Sequence, residues 1–197
     1  MDDATPAIDP LRSALLVKDY QAGIVERIDD ADALLARMRA AIDVARTHGM
    51  TVAYVRVALT DEERRSVPEH NKTFSTLASR GSAMQADAPE TAVHEAVAPQ
   101  EGDIVVRKQR VGPFSTTDLT DQLADRGIDT LVLGGISTSG VVLSTVRHAA
   151  DHDYRIYVLA DAIADTDPEV HDVLVHKVFP RQAWIITSDE LPTLLSA

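Results

Sequence analysis

Asp19 and Lys108 are the residues of this 197-residue chain whose types and positions point most directly to chemistry. Each follows an apolar run typical of a buried strand: Asp19 comes after "ALLVK", and Lys108 comes after "DIVVR". A carboxylate and an ammonium at one desolvated site alter each other's ionisation and can hold a proton in place for transfer. A structural ion pair is the competing interpretation, and the basic run "RKQR" around Lys108 would by itself indicate solvated surface.

The turn "GGISTSG" at 134–140 is a third candidate, because it leads from the apolar run "TLVL" into a helical pattern. Backbone N–H groups at the start of a helix favour a developing negative charge. Phosphate binding is disfavoured, since the chain contains neither G-x-x-x-x-G-K-S/T nor G-x-G-x-x-G. The hydroxyls of Ser137, Ser139 and Ser144 lie outside any G-x-S-x-G motif, so we interpret them as structural rather than nucleophilic.

Cysteine and histidine usage argues against thiolate and metal chemistry. The sequence has no cysteine, which excludes a catalytic thiol and a disulfide. His148 and His152 share a helix face but lie among charged neighbours, while His171 and His176 do not share a face. We therefore predict no metal and no cofactor.

The composition predicts a globular protein whose partner is a small molecule. The formal net charge of −12 argues against binding to nucleic acid or to anionic membranes, which are held largely by Lys and Arg. The N-terminus lacks the basic start and apolar core of a signal peptide, and no apolar run approaches the ~18 residues of a membrane span. We expect a soluble, cytoplasmic protein.

The elements that must position these residues alternate along the chain. Apolar runs predict strands at 12–20, 51–58, 102–110, 128–135, 155–162 and 183–188. Helical periodicity or end signals predict helices at 29–49, 117–127, 139–151, 166–179 and from 189 onwards. Residues 59–100 have no sustained period and are predicted as a long excursion with one short helix around 88–97.

This alternation predicts an α/β fold with a six-stranded, doubly wound parallel sheet flanked by helices, a Rossmann-like three-layer sandwich in one domain over residues 1–197. Ligands of such sheets bind outside the carboxyl ends of the strands, near the point where the strand order reverses. Asp19, Lys108 and the 134–140 turn should therefore meet at one edge of the sheet.

Four segments carry a resemblance to a known family: "ALLVKDYQ", "VVRKQRVGPFSTTDL", "LVLGGISTSGVVLSTVRHAADHDY" and "VLADAIAD", in that order. With them the chain resembles the isochorismatase-like superfamily, often called cysteine hydrolases, from about residue 13 to 188. The resemblance implies the same sheet, a small-molecule hydrolase and a homo-oligomer. The 59–100 excursion and the terminal "LPTLLSA" could supply the interface between subunits.

The resemblance also implies a catalytic set. The family's aspartate falls on Asp19 and its lysine on Lys108, while the pattern G-V-x-T-x-x-C ends at Val141, so a valine stands where the family has its cysteine nucleophile. An aliphatic side chain has no lone pair with which to attack, so covalent catalysis is excluded at this position. The resemblance further implies a cis peptide between Ile136 and Ser137, and an oxyanion hole formed by the N–H groups of Ser137 and Val141, which a valine retains.

True isochorismatases within the family also dispense with the cysteine and cleave an enol ether, the aspartate protonating a substrate carbon before water completes hydrolysis. Their turn is similar to G-V-Y-A-H, whereas this chain has "GISTS", so isochorismate itself is not indicated. The segment "RVGPF" keeps Arg110 and Phe114 of the family's R-Y-S-A-F but differs between them.

We take Ser137, Val141, Phe114 and Gln21 as candidate substrate-binding residues, with core packing as the alternative for Phe114. Two hypotheses follow. The first is a hydrolase that works by non-covalent acid–base chemistry of Asp19 and Lys108. The second is a catalytically inactive relative that serves as a ligand-binding or subunit-interaction module.

Overall fold

A six-stranded, all-parallel sheet organises the computed structural model, which describes residues 5–79 and 84–195. The strands are β1 (Ser13–Lys18), β2 (Thr51–Val57), β3 (Ile104–Lys108), β4 (Thr130–Ile136), β5 (Arg155–Ala164) and β6 (Trp184–Ile186). Their order across the sheet is β3-β2-β1-β4-β5-β6. The predicted six-stranded, doubly wound α/β fold is confirmed.

The two central strands, β1 and β4, are buried along their whole lengths. Both pair with neighbours on either side and are covered on both faces, which is why their sequences read as continuous apolar runs. The chain winds outward from β1 to β3 and then returns to place β4 on the other side of β1. The strand order therefore reverses between β1 and β4, and their carboxyl ends flank the crevice in which such sheets bind ligands.

Helices cover both faces of the sheet. They are α1 (Ala22–Val25), α2 (Ala31–Thr47), α3 (Asp61–Arg65), α4 (Lys72–Ala78), α5 (Leu119–Asp125), α6 (Leu143–Asp151), α7 (Pro168–Val173) and α8 (Leu191–Leu195). Leu15 and Val17 of β1 pack in a core layer with α2 and α8. Ala14 and Leu16 face the opposite layer, which contains α5 and α6. None of the helices in the described part of the chain is long and apolar enough to cross a membrane.

The 59–100 excursion differs from its prediction. It contains α3 and α4, which were not predicted, and the expected helix around 88–97 is replaced by two 3-10 turns, Pro89–Thr91 and Glu95–Val97. Between these turns Val93 forms an antiparallel bridge with Gln21, so the backbone there is extended rather than helical. A long-range contact thus overrides the local pattern.

The helices after β4 and β5 also differ from regular α-helices. The predicted helix at 139–151 begins with a π-helical turn at Thr138–Val142, and the predicted helix at 166–179 ends in another at Leu174–Val178. Asp167 caps α7 as its position before Pro168 indicates, since its side chain accepts hydrogen bonds from the N–H groups of Glu169 and Val170.

Gly134 gives a direct test of how tightly the sheet packs beneath the site. A Cβ at this position would lie 2.5 Å from Met38 Sδ and 3.1 Å from the Ala162 carbonyl oxygen. We predict that G134A lowers the free energy of unfolding by about 1–3 kcal/mol because the core is overpacked, as measured by urea denaturation. In an M38A background, where the clashing sulfur is absent, the same change should cost less. Equal costs in both backgrounds would contradict this packing.

Candidate active site

Asp19 and Lys108 form an ion pair at the carboxyl edge of the sheet. Lys108 Nζ lies 2.7 Å from Asp19 Oδ2, and the two side chains are only 3% and 6% exposed. Lys108 ends β3 and Asp19 follows β1, so the lysine side chain reaches across the end of the intervening strand β2. The same ammonium donates to the Val111 carbonyl at 2.9 Å. The structure therefore brings together the two residues that the sequence predicts as a pair.

Local backbone geometry aims Asp19 into this position. Its φ of 56° lies in the left-handed region, which turns the chain sharply at the end of β1. Its backbone N–H donates to the Val55 carbonyl on β2 at 2.8 Å and fixes the turn. The carboxylate is thus held at the end of the sheet rather than continuing the strand.

The electrostatics of Asp19 suit proton transfer. Burial raises the pKa of its carboxyl, while the charges of Lys108 and then Lys18 act in the opposite direction. Its Oδ1 atom is buried and has no hydrogen-bond partner among the described residues, whereas Oδ2 is held by Lys108. One oxygen is therefore anchored and the other is free to carry or accept a proton.

A cavity of about 430 Å³ opens beside the pair, a size suited to a small molecule. Its polar lining includes Asp19, Lys108 and Ser137, and Val141 lies in the same wall. Its apolar lining comes from α1, α4 and the adjoining loops: Ile24, Ile28, Phe74, Leu77, Met84 and Val111. The 59–100 excursion thus supplies a wall of the cavity.

The turn after β4 is fixed by side chains from the next βα connection. The Ile136–Ser137 peptide is cis, as the family resemblance implies. The Thr138 hydroxyl and His171 Nδ1 are 2.9 Å apart, and the Ser139 N–H donates to Asp165 Oδ2 at 2.7 Å. These contacts hold the Ser137–Val141 backbone against the cavity.

Two of the candidate substrate-binding residues have structural roles. Gln21 lines the cavity, but its Nε2 donates to the carbonyls of Val57 and Thr91, both at 2.9 Å, and its Oε1 accepts from the Val57 N–H at 2.7 Å. Both amide hydrogens are therefore already used. Phe114 packs in the core, its ring stacks on that of His148 with the centroids 4.3 Å apart, and it is not among the residues that line the cavity.

Lys18 is a charged residue near the site that the sequence analysis did not single out. It is completely buried on β1, and its Nζ has no hydrogen-bond partner among the described residues. The sequence could have revealed it, because Lys18 ends an apolar run typical of a strand that is buried on both faces. As for metals, no group of three or more His, Cys, Asp or Glu within 5–79 and 84–195 is placed to hold an ion.

Comparisons with known proteins agree with this fold. Residues 13–190 match the model of the isochorismatase domain. The chain is 35% identical over 184 residues to YwoC of Bacillus subtilis, an uncharacterised isochorismatase family protein, over 93% of this chain and 94% of that protein. It is 32% identical over 189 residues to a probable isochorismatase of Pseudomonas chlororaphis, over 94% and 87%. The solved structure of an isochorismatase family protein from Burkholderia thailandensis matches with a TM-score of 0.82 and 26% identity, over 98% and 100%.

The hydrogen bonds of Gln21 predict a stability effect rather than a binding effect. In Q21E the shape is kept, but the Val57 carbonyl loses the hydrogen bond from Nε2, which costs about 1–3 kcal/mol for a buried group left unpaired. The Thr91 carbonyl keeps a hydrogen bond from Arg56 Nη1. We expect urea denaturation to show this loss of stability. The same change at an exposed position, Q100E, should leave stability unaltered. A Q21E protein that unfolds like the wild type would show that Gln21 is free for a ligand.

Proposed function

Because this chain belongs to the isochorismatase domain family, we propose that it hydrolyses a small metabolite by non-covalent acid–base chemistry of Asp19 and Lys108. The observation that supports this most strongly is the buried Asp19–Lys108 pair, which lines a cavity of about 430 Å³ and in which one carboxylate oxygen has no partner among the described residues. A purely structural ion pair would have no need to line such a cavity.

In this mechanism Asp19 Oδ1 carries the proton and Lys108 holds Oδ2. For an enol ether, the proton of Oδ1 adds to the substrate carbon, and the resulting cation is stabilised by the ether oxygen. Water then attacks that cation and gives up a proton, which restores the acid, and the adduct collapses to a carbonyl compound and an alcohol. The raised pKa of Asp19 favours the protonated carboxyl that the first step requires.

The residue at the nucleophile position favours this bond type over an amide. Val141 has no lone pair, so the acyl-enzyme route of the cysteine members is closed. Cleavage of an enol ether needs only an acid, a positioning cation and a pocket. The similarity to a probable isochorismatase is consistent with this substrate class. We propose that the backbone N–H groups of Ser137 and Val141 bind a negatively charged part of the substrate.

The same valine supports a second candidate function. A relative that has lost its nucleophile can keep the cavity as a ligand-binding or subunit-interaction module. In that case the Asp19–Lys108 pair would hold a ligand that is released unchanged.

A screen of enol ethers, amides and imidic esters separates the two functions. We predict turnover of an enol ether by the wild type and a loss of about 10²–10⁴-fold in kcat/KM in D19N, since the acid is removed. D125N, which removes an exposed carboxylate on α5, should keep full activity. Turnover that survives in D19N would refute the role of Asp19, and ligand binding without turnover of any class would favour the binding module.

A further inference from the structure

Lys18 is a completely buried lysine whose amine has no hydrogen-bond partner among the described residues. Such a group is costly, because an ionised amine in an apolar interior loses its hydration without compensation. It stands directly before Asp19, the proposed acid, at the end of a central strand.

The neighbouring strand is shaped to admit this lysine. Lys18 is paired in register with Gly135 of β4. A Cβ at Gly135 would lie 3.1 Å from Lys18 Cβ and 3.2 Å from Lys18 Cε, so the lysine stem lies along the glycine. The absence of a side chain at Gly135 leaves room for it.

The charged groups that act on the Lys18 amine both belong to the site. They are Asp19, whose negative charge favours the ammonium, and Lys108 of β3, whose positive charge opposes it. The strand neighbours in register, Val55 on β2 and Gly135 on β4, carry no charge. The core layer on this face of the sheet is built from apolar side chains.

We propose that Lys18 is a positioning residue of the active centre, whose buried amine controls the ionisation of Asp19 through its charge and without contacting the substrate. The inference rests on the proposed acid–base role of Asp19. Lys18 is not part of the cavity lining, so it acts through Asp19 rather than on the reacting atoms.

The direction of this control follows from the charges. Burial lowers the pKa of Lys18 to about 7, an effect that Asp19 opposes and Lys108 reinforces. Below this pH the ammonium favours the ionised Asp19 carboxylate. Above it the neutral amine gives no such support, and Asp19 keeps its proton more readily. While its amine is protonated, Lys18 therefore narrows the pH range over which Asp19 keeps its proton.

A ¹³C NMR titration of the Lys18 ε-carbon tests the coupling without any substrate. The 197-residue chain has four lysines, so single Lys→Met variants assign the resonances. We expect Lys18 to titrate near pH 7. In D19N, where the negative charge is gone, the Lys18 midpoint should fall by about one pH unit. A Lys18 that titrates at the pKa of about 10.4 usual for lysine, or a midpoint unchanged in D19N, would overturn the proposal.

The pH dependence of kcat/KM gives the second arm. K18M lacks the positive charge of Lys18. The fall in kcat/KM at high pH, which reports loss of the Asp19 proton, should therefore move to higher pH by about one unit. KM should stay unchanged. K177M removes the same charge from an exposed site and should match the wild type. An unshifted limb in K18M would refute the control of Asp19. Because the NMR arm needs no turnover, a failure to find any substrate would overturn the proposed function and still leave this inference tested.

Discussion

The ion pair between Lys108 Nζ and Asp19 Oδ2 is the interaction on which the site depends. Removing two charges from water is costly, and their attraction offsets that cost only with close geometry and further hydrogen bonds. Here the geometry is close, and the Val111 carbonyl accepts a second hydrogen bond from the ammonium. The pair ties the end of β3 to the end of β1 and fixes which oxygen of Asp19 is anchored by the lysine.

The topology makes this pair possible. Because β3, β2 and β1 are adjacent and parallel, residues that are distant in sequence emerge at one edge. The reversal of strand order between β1 and β4 places the Ser137–Val141 turn on the other side of Asp19. Gln21 ties the start of α1 to the end of β2, and α4 closes the cavity with apolar side chains. Rigid strands thus hold the charged groups, while the excursion shapes the space in front of them.

The sequence predicts the six strands well, because buried parallel strands leave long apolar runs that do not depend on distant contacts. It also predicts Asp19 and Lys108 as a pair, although "RKQR" by itself suggests surface. Lys108 is buried because it pairs with Asp19 at the end of another strand. The local sequence around Lys108 cannot reveal this long-range contact. The extended segment between the 3-10 turns of the excursion depends likewise on the Val93–Gln21 bridge. Lys18 could have been identified from the sequence as a buried charge, because it ends an apolar run typical of a strand buried on both faces.

A double-mutant cycle on the Asp19–Lys108 pair tests the central claim most directly. The free energy of unfolding of the wild type, D19N, K108M and the double variant is measured by urea denaturation. If the pair is a buried, coupled unit, each single variant should lose about 3–5 kcal/mol, because one buried group is left without its partner. The double variant should then lose less than the sum by about 2 kcal/mol or more. Losses that add within about 0.5 kcal/mol would show that the two residues do not depend on each other.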